Sequence, residues 1–276
     1  MSDHAKALLS RPGVGFTASV AQGCDLRISR VVVDRPTLIV VDHGSKTLEA
    51  AGGAWTVAGG EGVALAGGQT FDVTNRLSGR GRYGARWLVW DPSIVAAFER
   101  SGEGATLRSV AAFGRLEVSF LAAFDRAIEA IGDADGVPEA VARHRMTEVL
   151  VWLSLLGIRF SSAESPSFAA RVRRLVEASA DARWTAAEVA DRLAVSEATL
   201  RRRLAAEGTT LGDLLADVRM AQGMLLLQST DLSVNRVALE VGYESASRFA
   251  IRFRRRFGFP PTAIRGHARG AVVGVG

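Results

Sequence analysis

Arginines recur on the outward face of two short segments in the C-terminal part of the chain. In the first segment, Arg201 and Arg202 follow the small residue Ala198 at helical spacing. A guanidinium group pairs bidentately with phosphate oxygens and with guanine O6 and N7, and a small side chain lets a helix approach base edges closely. The pattern therefore predicts contacts with nucleic acid. The candidate contact residues are Ala198, Arg201 and Arg202 in the first segment and Ser247, Arg248, Arg252 and Arg255 in the second.

Local signals define the helices that would hold the first set of arginines. Thr185 and Glu188 have the spacing of a capping box, and Ser196 is placed to cap the helix that follows. Leu200 and Leu204 then share one face of that second helix. We expect this face to be buried and the arginine face to be exposed.

The second segment repeats this logic with different residues. Ser233 and Ser245 are predicted caps, Gly242 makes the turn, and Phe249 and Phe253 occupy the core face. Each segment is typical of a helix-turn-helix, which places its second helix in the major groove of DNA. The expected bounds of the two motifs are 185–208 and 233–258.

The stretch between the motifs, Leu211–Leu227, is predicted to be one long helix with an apolar face. Such a connector would fix the spacing of the two recognition helices. Successive major-groove segments on one face of DNA lie about 34 Å apart. One copy of the chain is therefore expected to read a bipartite site.

The charge distribution agrees with a polyanionic partner for the C-terminal part alone. Residues 1–166 carry 17 basic and 18 acidic side chains, whereas residues 167–276 carry 17 basic and 11 acidic ones. Every basic residue after position 166 is an arginine. The alternative is a basic face that is merely solvated, and the doubled motif favours DNA over that alternative.

The N-terminal part has a different texture, in which paired glycines separate short β-favouring runs. This predicts a sandwich or barrel at about 14–90, followed by helices at about 92–160. The predicted helices are Pro92–Ser101, Arg108–Ile131 and Pro138–Phe160, with a small-residue linker at Ser161–Ser167. The expected domains are 1–165 and an all-α domain at 167–276.

No constellation of residues indicates catalysis. The four histidines, His4, His43, His144 and His267, are scattered, so no metal site is predicted, and the chain has no nucleophile elbow and no HExxH motif. We therefore predict no catalytic residue, no metal and no cofactor. The single cysteine, Cys24, and the absence of an apolar signal core or a membrane-length apolar run predict a soluble cytoplasmic protein.

Residues 167–267 resemble the DNA-binding domain of the AraC/XylS family of bacterial transcription regulators. The similarity rests on matching stretches in the connector, in the second motif and after it: Arg219-Met220 to Leu226-Leu227, Val237-Ala238 to Gly242-Tyr243, Ser247 to Phe253, and Phe257 to Pro261 with Arg265. The run Arg183-Trp184, Ser196-Glu197 and Glu207-Gly208 is similar to the subgroup of virulence, acid and urease-gene activators.

Three positions depart from the family pattern. The family usually has an aromatic residue at Leu204, an alanine at Gly223 and an arginine at Ile251. The resemblance implies that the first recognition helix makes the more specific contacts. With isoleucine at position 251, Arg248 and Arg252 are expected to contact phosphate.

The resemblance also implies a cupin-like barrel with flanking helices as an N-terminal sensor and dimerisation module. A small apolar or carboxylate effector inside it would meet Trp55 and Phe71, with Arg30, Lys46 or Arg86 as partners of a carboxylate. The alternative is that the large apolar residues, Phe16, Leu38, Trp55, Phe71, Trp87 and Trp90, simply fill the barrel. The candidate dimer surface is Trp152, Leu153 and Leu156, whose alternative role is packing on the barrel.

The function implied by these features is that of a sequence-specific DNA-binding regulator, and the family's usual mode is activation. The expected partners are a double-stranded DNA promoter and, by resemblance, RNA polymerase, with a second copy of the chain as a possible homodimer partner. Two alternatives stay open. One is a non-enzymatic DNA-organising protein without an effector, and the other is a cupin enzyme with a DNA-binding tail.

Overall fold

A computed structural model of the chain describes residues 8–50, 52–100, 106–161, 167–177 and 179–265. The chain divides into two compact units. The first is formed mainly by the residues up to Glu164, and the second by Ser165–Leu227 and Asp231–Ala263. Most of the predicted linker at Ser161–Ser167 lies outside the described residues.

The first unit is built on two antiparallel sheets. The larger has the strand order β1-β2-β9-β4-β7-β10 and the smaller the order β3-β8-β5-β6, without a ladder joining the two among the described strands. The barrel-like region therefore consists of two separate sheets. The strands are β1 Leu8–Arg11, β2 Gly15–Gln22, β3 Leu26–Val33, β4 Thr37–His43, β5 Ser45–Ala50, β6 Gly53–Ala58, β7 Glu61–Leu65, β8 Gln69–Arg76, β9 Tyr83–Trp90 and β10 Val110–Arg115.

Alternation along the strands gives the larger sheet two buried faces. On one face, Leu38, Leu88 and Trp90 belong to a core shared with the helices of this unit, and Trp90 Nε1 donates to the carbonyl of Met146 at 2.9 Å. The intervening residues of β9, including Tyr83, Ala85 and Trp87, lie on the opposite face of the pleat.

Within the described part of this unit, three helices accompany the sheets: α1 Pro92–Arg100, α2 Val118–Gly132 and α3 Glu139–Leu155. The prediction of a helix from Arg108 was wrong for Val110–Arg115, which pairs with β7 as an edge strand. Phe113 of this strand lies over Gly62, where a Cβ would come within 2.4 Å of its ring. Phe113 thus packs on β7, a tertiary contact that overrides the local helical spacing.

The second unit is helical, as predicted. Its first core joins the start of the unit to the first helix-turn-helix and includes Val172, Val189, Leu200 and Leu204. The helices are α4 Phe168–Glu177, α5 Ala186–Arg192, α6 Glu197–Ala206, α7 Leu211–Ser229, α8 Val234–Glu240 and α9 Ala246–Phe257, followed by a 3₁₀ turn at Pro261–Arg265. In the described part of the chain, no helix combines the length and apolarity that crossing a bilayer would need.

Candidate nucleic-acid interface

The first helix-turn-helix has the caps that the sequence predicts. Thr185 Oγ1 accepts from Glu188 N at 3.2 Å, and Glu188 Oε2 accepts from Thr185 N at 2.8 Å. The backbone N–H and the hydroxyl of Thr185 both donate to the carboxylate of Glu188, and these two bonds hold the pKa of Glu188 below its usual value. Ser196 Oγ accepts from Thr199 N at 3.2 Å and so begins α6. The capping-box prediction is confirmed.

Helix α6 separates its two faces as expected. Leu200 and Leu204 are buried in the core, whereas Ala198, Arg201 and Arg202 are exposed. Arg201 Nη2 lies 3.4 Å from Oε2 of Glu197, which is one turn earlier on the same exposed face. An ion pair of this kind is weak in water, so the guanidinium is available to a stronger anionic partner.

The second helix-turn-helix is capped in the same way. Ser233 Oγ accepts from Arg236 N at 3.2 Å, and Ser245 Oγ accepts from Arg248 N at 3.3 Å. The outward side of α9 carries the predicted contact residues and one apolar side chain, Ile251, which is 68% exposed. The exposed predicted contacts are Ser247, Arg248, Arg252 and Arg255.

Aromatic packing holds the inner side of α9. The ring centroids of Phe249 and Phe253 lie 5.4 Å apart, and those of Phe253 and Phe257 lie 4.6 Å apart. Tyr243 from the turn packs edge-on against Phe249 at 5.7 Å. Both Phe249 and Phe253 are fully buried, which confirms their core assignment.

The connector α7 explains one departure from the family pattern. A Cβ on Gly223 would lie 2.7 Å from Cε2 of Phe249, so the glycine lets α9 pack directly against the connector. Asp217 of α7 also pairs with Arg256 of α9 at 3.2 Å. Arg219 donates to the carbonyls of Ala180 and Ala182, both at 2.9 Å, and so ties α7 to the chain before α5.

Glu207, which the sequence analysis named only for the subgroup resemblance, is a positioning residue. Its two carboxylate oxygens accept from the backbone N–H groups of Phe168 and Ala169, both at 2.8 Å. The end of α6 thereby satisfies free donors at the start of α4. The only local signal was an acidic residue before a glycine, and its partners are almost forty positions away, so spacing along the chain could not reveal them.

The predicted effector residues do not converge on one place. Arg30 is exposed at a bulge of β3, where its φ is +56°. Trp55 is partly buried on the outer strand β6, and Phe71 is buried on β8. Lys46 is 2% exposed and lies in the interior. The structure thus separates Arg30 from the interior site that the hypothesis requires.

Arg86 is already neutralised by two carboxylates. Its Nη2 lies 2.9 Å from Asp42 Oδ1, and its Nη1 contacts Asp125. Hydrogen bonds and charges of these acids raise the pKa of Arg86 despite the opposing effect of burial. This network argues against Arg86 as the partner of a ligand carboxylate.

The predicted dimer residues also differ in position. Leu153 is buried in the core of the first unit, and Trp152 stacks on Phe120 with ring centroids 6.1 Å apart. Leu156 is exposed, together with Leu155 and Val151. The residues exposed near the end of α3 therefore differ from the predicted dimer residues. Leu153 packs inside the unit, which was the alternative role.

Among the described residues, no group of three or more histidine, cysteine, aspartate or glutamate side chains is arranged to hold a metal ion. His4 and His267 lie outside those residues.

The comparisons with known proteins agree with the geometry of the second unit. A family described as a helix-turn-helix domain matches residues 189–267, which begin in α5 and extend past α9. The C-terminal domain is of the AraC type. Both recognition helices, α6 and α9, lie within the matched part of this AraC-type domain.

Curated relatives are similar over about a third of the chain. The transcriptional activator AggR of Escherichia coli is 35% identical over 94 residues, which are 34% of this chain and 36% of AggR. The virulence regulon transcriptional activator VirF of Shigella flexneri is 33% identical over 101 residues, 37% of this chain and 38% of VirF. The match spans little more than a third of the length of these relatives.

Solved structures extend the likeness to the whole fold. Apo ToxT from Vibrio cholerae superposes with a TM-score of 0.63 at 13% identity and covers 92% of this chain and 97% of ToxT. A second ToxT structure, described as bound to an unsaturated fatty acid, has a TM-score of 0.59 at 12% identity and covers 90% and 93%. The fold, with a sheet-rich unit and a helical unit, is thus shared with ToxT.

Proposed function

We propose that the chain is a sequence-specific DNA-binding regulator that activates transcription from a bipartite promoter site. The observation that carries the proposal is the pair of capped helix-turn-helix motifs, each with an arginine-bearing outward face, within one compact unit. The relatives named as transcriptional activators support the activating mode. An activator of this kind has RNA polymerase as its second partner.

The two recognition helices have different roles in this proposal. Helix α6 enters the major groove, where Ala198 permits close approach and Arg201 and Arg202 donate to base edges. Helix α9 contacts phosphates through Arg248, Arg252 and Arg255 and fixes the register.

The N-terminal unit is proposed to be a regulatory module without enzymatic activity. Its fold is shared with ToxT, for which a fatty-acid-bound structure exists, and this supports a small apolar or carboxylate effector. The proposed homodimer surface consists of the exposed residues Val151 and Leu155 of α3 and Leu156 directly after it. Sedimentation that shows a monomer at every working concentration would remove the dimer from the proposal.

DNase footprinting with the full chain on fragments selected from the source genome tests the central proposal. We expect a protected site with two parts about one helical turn apart. The double variant Arg201→Ala/Arg202→Ala should lose this protection. The matched control Arg126→Ala removes an exposed arginine of the N-terminal unit, paired with Glu148, and should retain it.

The two alternative functions give different results in the same assays. Uniform, strongly salt-dependent protection without a preferred site would indicate a DNA-organising protein. A stoichiometric transition metal in the purified protein would favour a cupin enzyme with a DNA-binding tail.

A further inference from the structure

An apolar side chain lies at the centre of the outward face of α9. Ile251 is 68% exposed and points away from the buried rings of Phe249 and Phe253, because each residue turns a helix by about 100°. Four exposed polar residues surround it on the helix surface, three and four positions away along the chain. They are Ser247, Arg248, Arg254 and Arg255. Ile251 is therefore an apolar group in the middle of a cationic face.

The position of Ile251 corresponds to that of Arg202 in the first motif. The two recognition helices begin at equivalent caps, Ser196 and Ser245, and each of these two residues is the sixth after its cap. The buried positions correspond as well, at the fourth and eighth residues after each cap. They are Leu200 and Leu204 in α6 and Phe249 and Phe253 in α9. Relative to the core of its own motif, Ile251 thus points in the direction of an arginine that is proposed to read bases.

An isoleucine in the major groove favours a different base pair from an arginine. A side chain without donors cannot bond to guanine O6 and N7, and it would displace water from polar base edges without replacing the lost hydrogen bonds. The apolar group that base pairs present in the major groove is the C5 methyl of thymine. An isoleucine at the centre of the outward face is therefore suited to an A·T pair.

The surroundings of Ile251 favour a fixed contact. A β-branched side chain in a helix is held in one χ1 rotamer, so packing on a methyl group costs little side-chain entropy. Helical geometry places Arg248 and Arg255 on one side of Ile251 and Arg254 on the other. The ion pair of Arg248 with Glu244, at 3.9 Å, joins two exposed groups and is weak in water. These arginines are available to phosphates, and such contacts would hold Ile251 against the base edges.

We propose that Ile251 reads an A·T base pair in one half of the bipartite site by packing on the C5 methyl of its thymine. This inference rests on the proposed function and deepens it, because it adds a base contact to the phosphate contacts of Arg248, Arg252 and Arg255. Deoxyuridine in place of thymine removes the methyl and leaves the hydrogen bonds of the base pair unchanged. We expect this replacement to weaken binding about fourfold, which is what the burial of one methylene group is worth.

Duplexes that the full chain enriches from a random pool of double-stranded DNA provide the probe. Each thymine of the enriched site is replaced singly by deoxyuridine, and fluorescence anisotropy measures the affinity. The unchanged chain should lose about fourfold at one or two thymines. Ile251→Ala should bind the thymine duplex at least about fourfold more weakly and no longer distinguish it from deoxyuridine at those positions. The control Val118→Ala removes a side chain of the N-terminal unit that is 83% exposed, and it should keep the full discrimination.

Ile251→Arg gives a second, independent readout. It places an arginine at the position equivalent to Arg202, so selection from the same pool should shift at one base pair from A·T to G·C. Since Ile251 is exposed, both of its variants should melt like the unchanged chain. Deoxyuridine effects that are the same in the unchanged chain and in Ile251→Ala at every thymine would overturn the contact, as would unchanged selection by Ile251→Arg. If the unchanged chain enriches no sequence, the proposed regulator fails, whereas an enriched site without a thymine that depends on Ile251 removes only this inference.

Discussion

The two domains place their charged side chains in opposite settings. In the AraC-type domain the predicted contact arginines are exposed on α6 and α9, and the interior beneath them is aliphatic or aromatic. In the N-terminal unit a lysine is buried between sheets, beside donors that have no acceptor among the residues that the structure describes. A charge exposed on a rigid helix indicates a partner that approaches from outside. A charge buried without a counter-ion instead lowers the stability of the fold, at a pH where the group is protonated.

The largest expected change in stability comes from truncating an aromatic residue of α9, in the interior of the AraC-type domain. Phe253 is fully buried and contacts the rings of Phe249 and Phe257. Phe253→Ala should destabilise the AraC-type domain by about 3–5 kcal/mol, because it removes buried apolar surface and leaves a cavity. Thermal unfolding measures the loss, and hydrogen exchange should place it in α9. The neighbouring exposed residue gives the control Arg254→Ala, and unchanged melting of Phe253→Ala would refute the core assignment.

This interior was predictable because its signals are local. Caps at Thr185, Ser196, Ser233 and Ser245 are each read from a few adjacent residues, and the buried positions follow at helical spacing. The roles of the outward arginines stay predictions, since their partner is DNA. The structural role of Glu207 was not predicted, because its bonds to the start of α4 depend on how the helices pack.

The N-terminal unit was less predictable because its contacts join residues that are distant in the sequence. Glycine-punctuated runs indicated a β-rich unit, but the strand at Val110–Arg115 forms only because β7 offers a partner. Lys46 was a candidate from its residue type alone. Gln22, Tyr83 and Trp87 lie near it because distant strands pair, and no short-range pattern encodes that pairing.

Whereas Phe253→Ala is expected to destabilise its domain, a substitution in the interior of the N-terminal unit is expected to increase stability. Burial lowers the pKa of Lys46 from its ordinary 10.5 to about 7. Between these pH values the unfolded chain holds a proton that the folded chain has released, so the stability of the unchanged protein rises with pH from about 7 to about 10.5. Lys46→Met removes the cost of burying the charge. We expect it to stabilise the unit by roughly 4 kcal/mol at pH 7, with the gain vanishing towards pH 10.5.

Chemical denaturation of the Lys46→Met variant and the unchanged chain across this pH range measures the difference. Tyr83, whose ring lies against Lys46, has its pKa raised by burial and by the charge of Asp42, so it remains protonated through the window. The exposed control Arg126→Met should follow the slope of the unchanged chain. A pH-independent offset between Lys46→Met and the unchanged chain would mean that Lys46 is not desolvated.

Arginine changes on the AraC-type domain should leave stability unaltered and alter DNA binding instead. Arg201→Ala and Arg202→Ala are each expected to cost about 1–3 kcal/mol at the cognate site and to relax sequence choice. Arg252→Ala and Arg255→Ala should weaken binding uniformly and reduce the salt slope by about one. Anisotropy titrations with cognate and scrambled DNA at several salt concentrations separate the two classes. If the α6 variants lose only non-specific affinity, the assignment of base reading to α6 is wrong.

The smallest expected change in stability concerns the turns of the two motifs. Each turn needs a residue in the left-handed conformation, and the two motifs use different residues there. Ala194 and Gly242 both have positive φ, at +52° and +77°. A Cβ on Gly242 would also lie 3.0 Å from the carbonyl oxygen of Ala180, whereas Ala194 is exposed. Gly242→Ala should therefore lower the free energy of unfolding by about 1–2 kcal/mol. Ala194→Gly should be neutral or should raise it by up to about 1 kcal/mol. The gain is small because relief of the left-handed strain is partly offset by the flexibility that glycine adds to the unfolded chain. Urea denaturation of both variants checks the signs, and equal stability of Gly242→Ala and the unchanged chain would show that the second turn does not need its glycine.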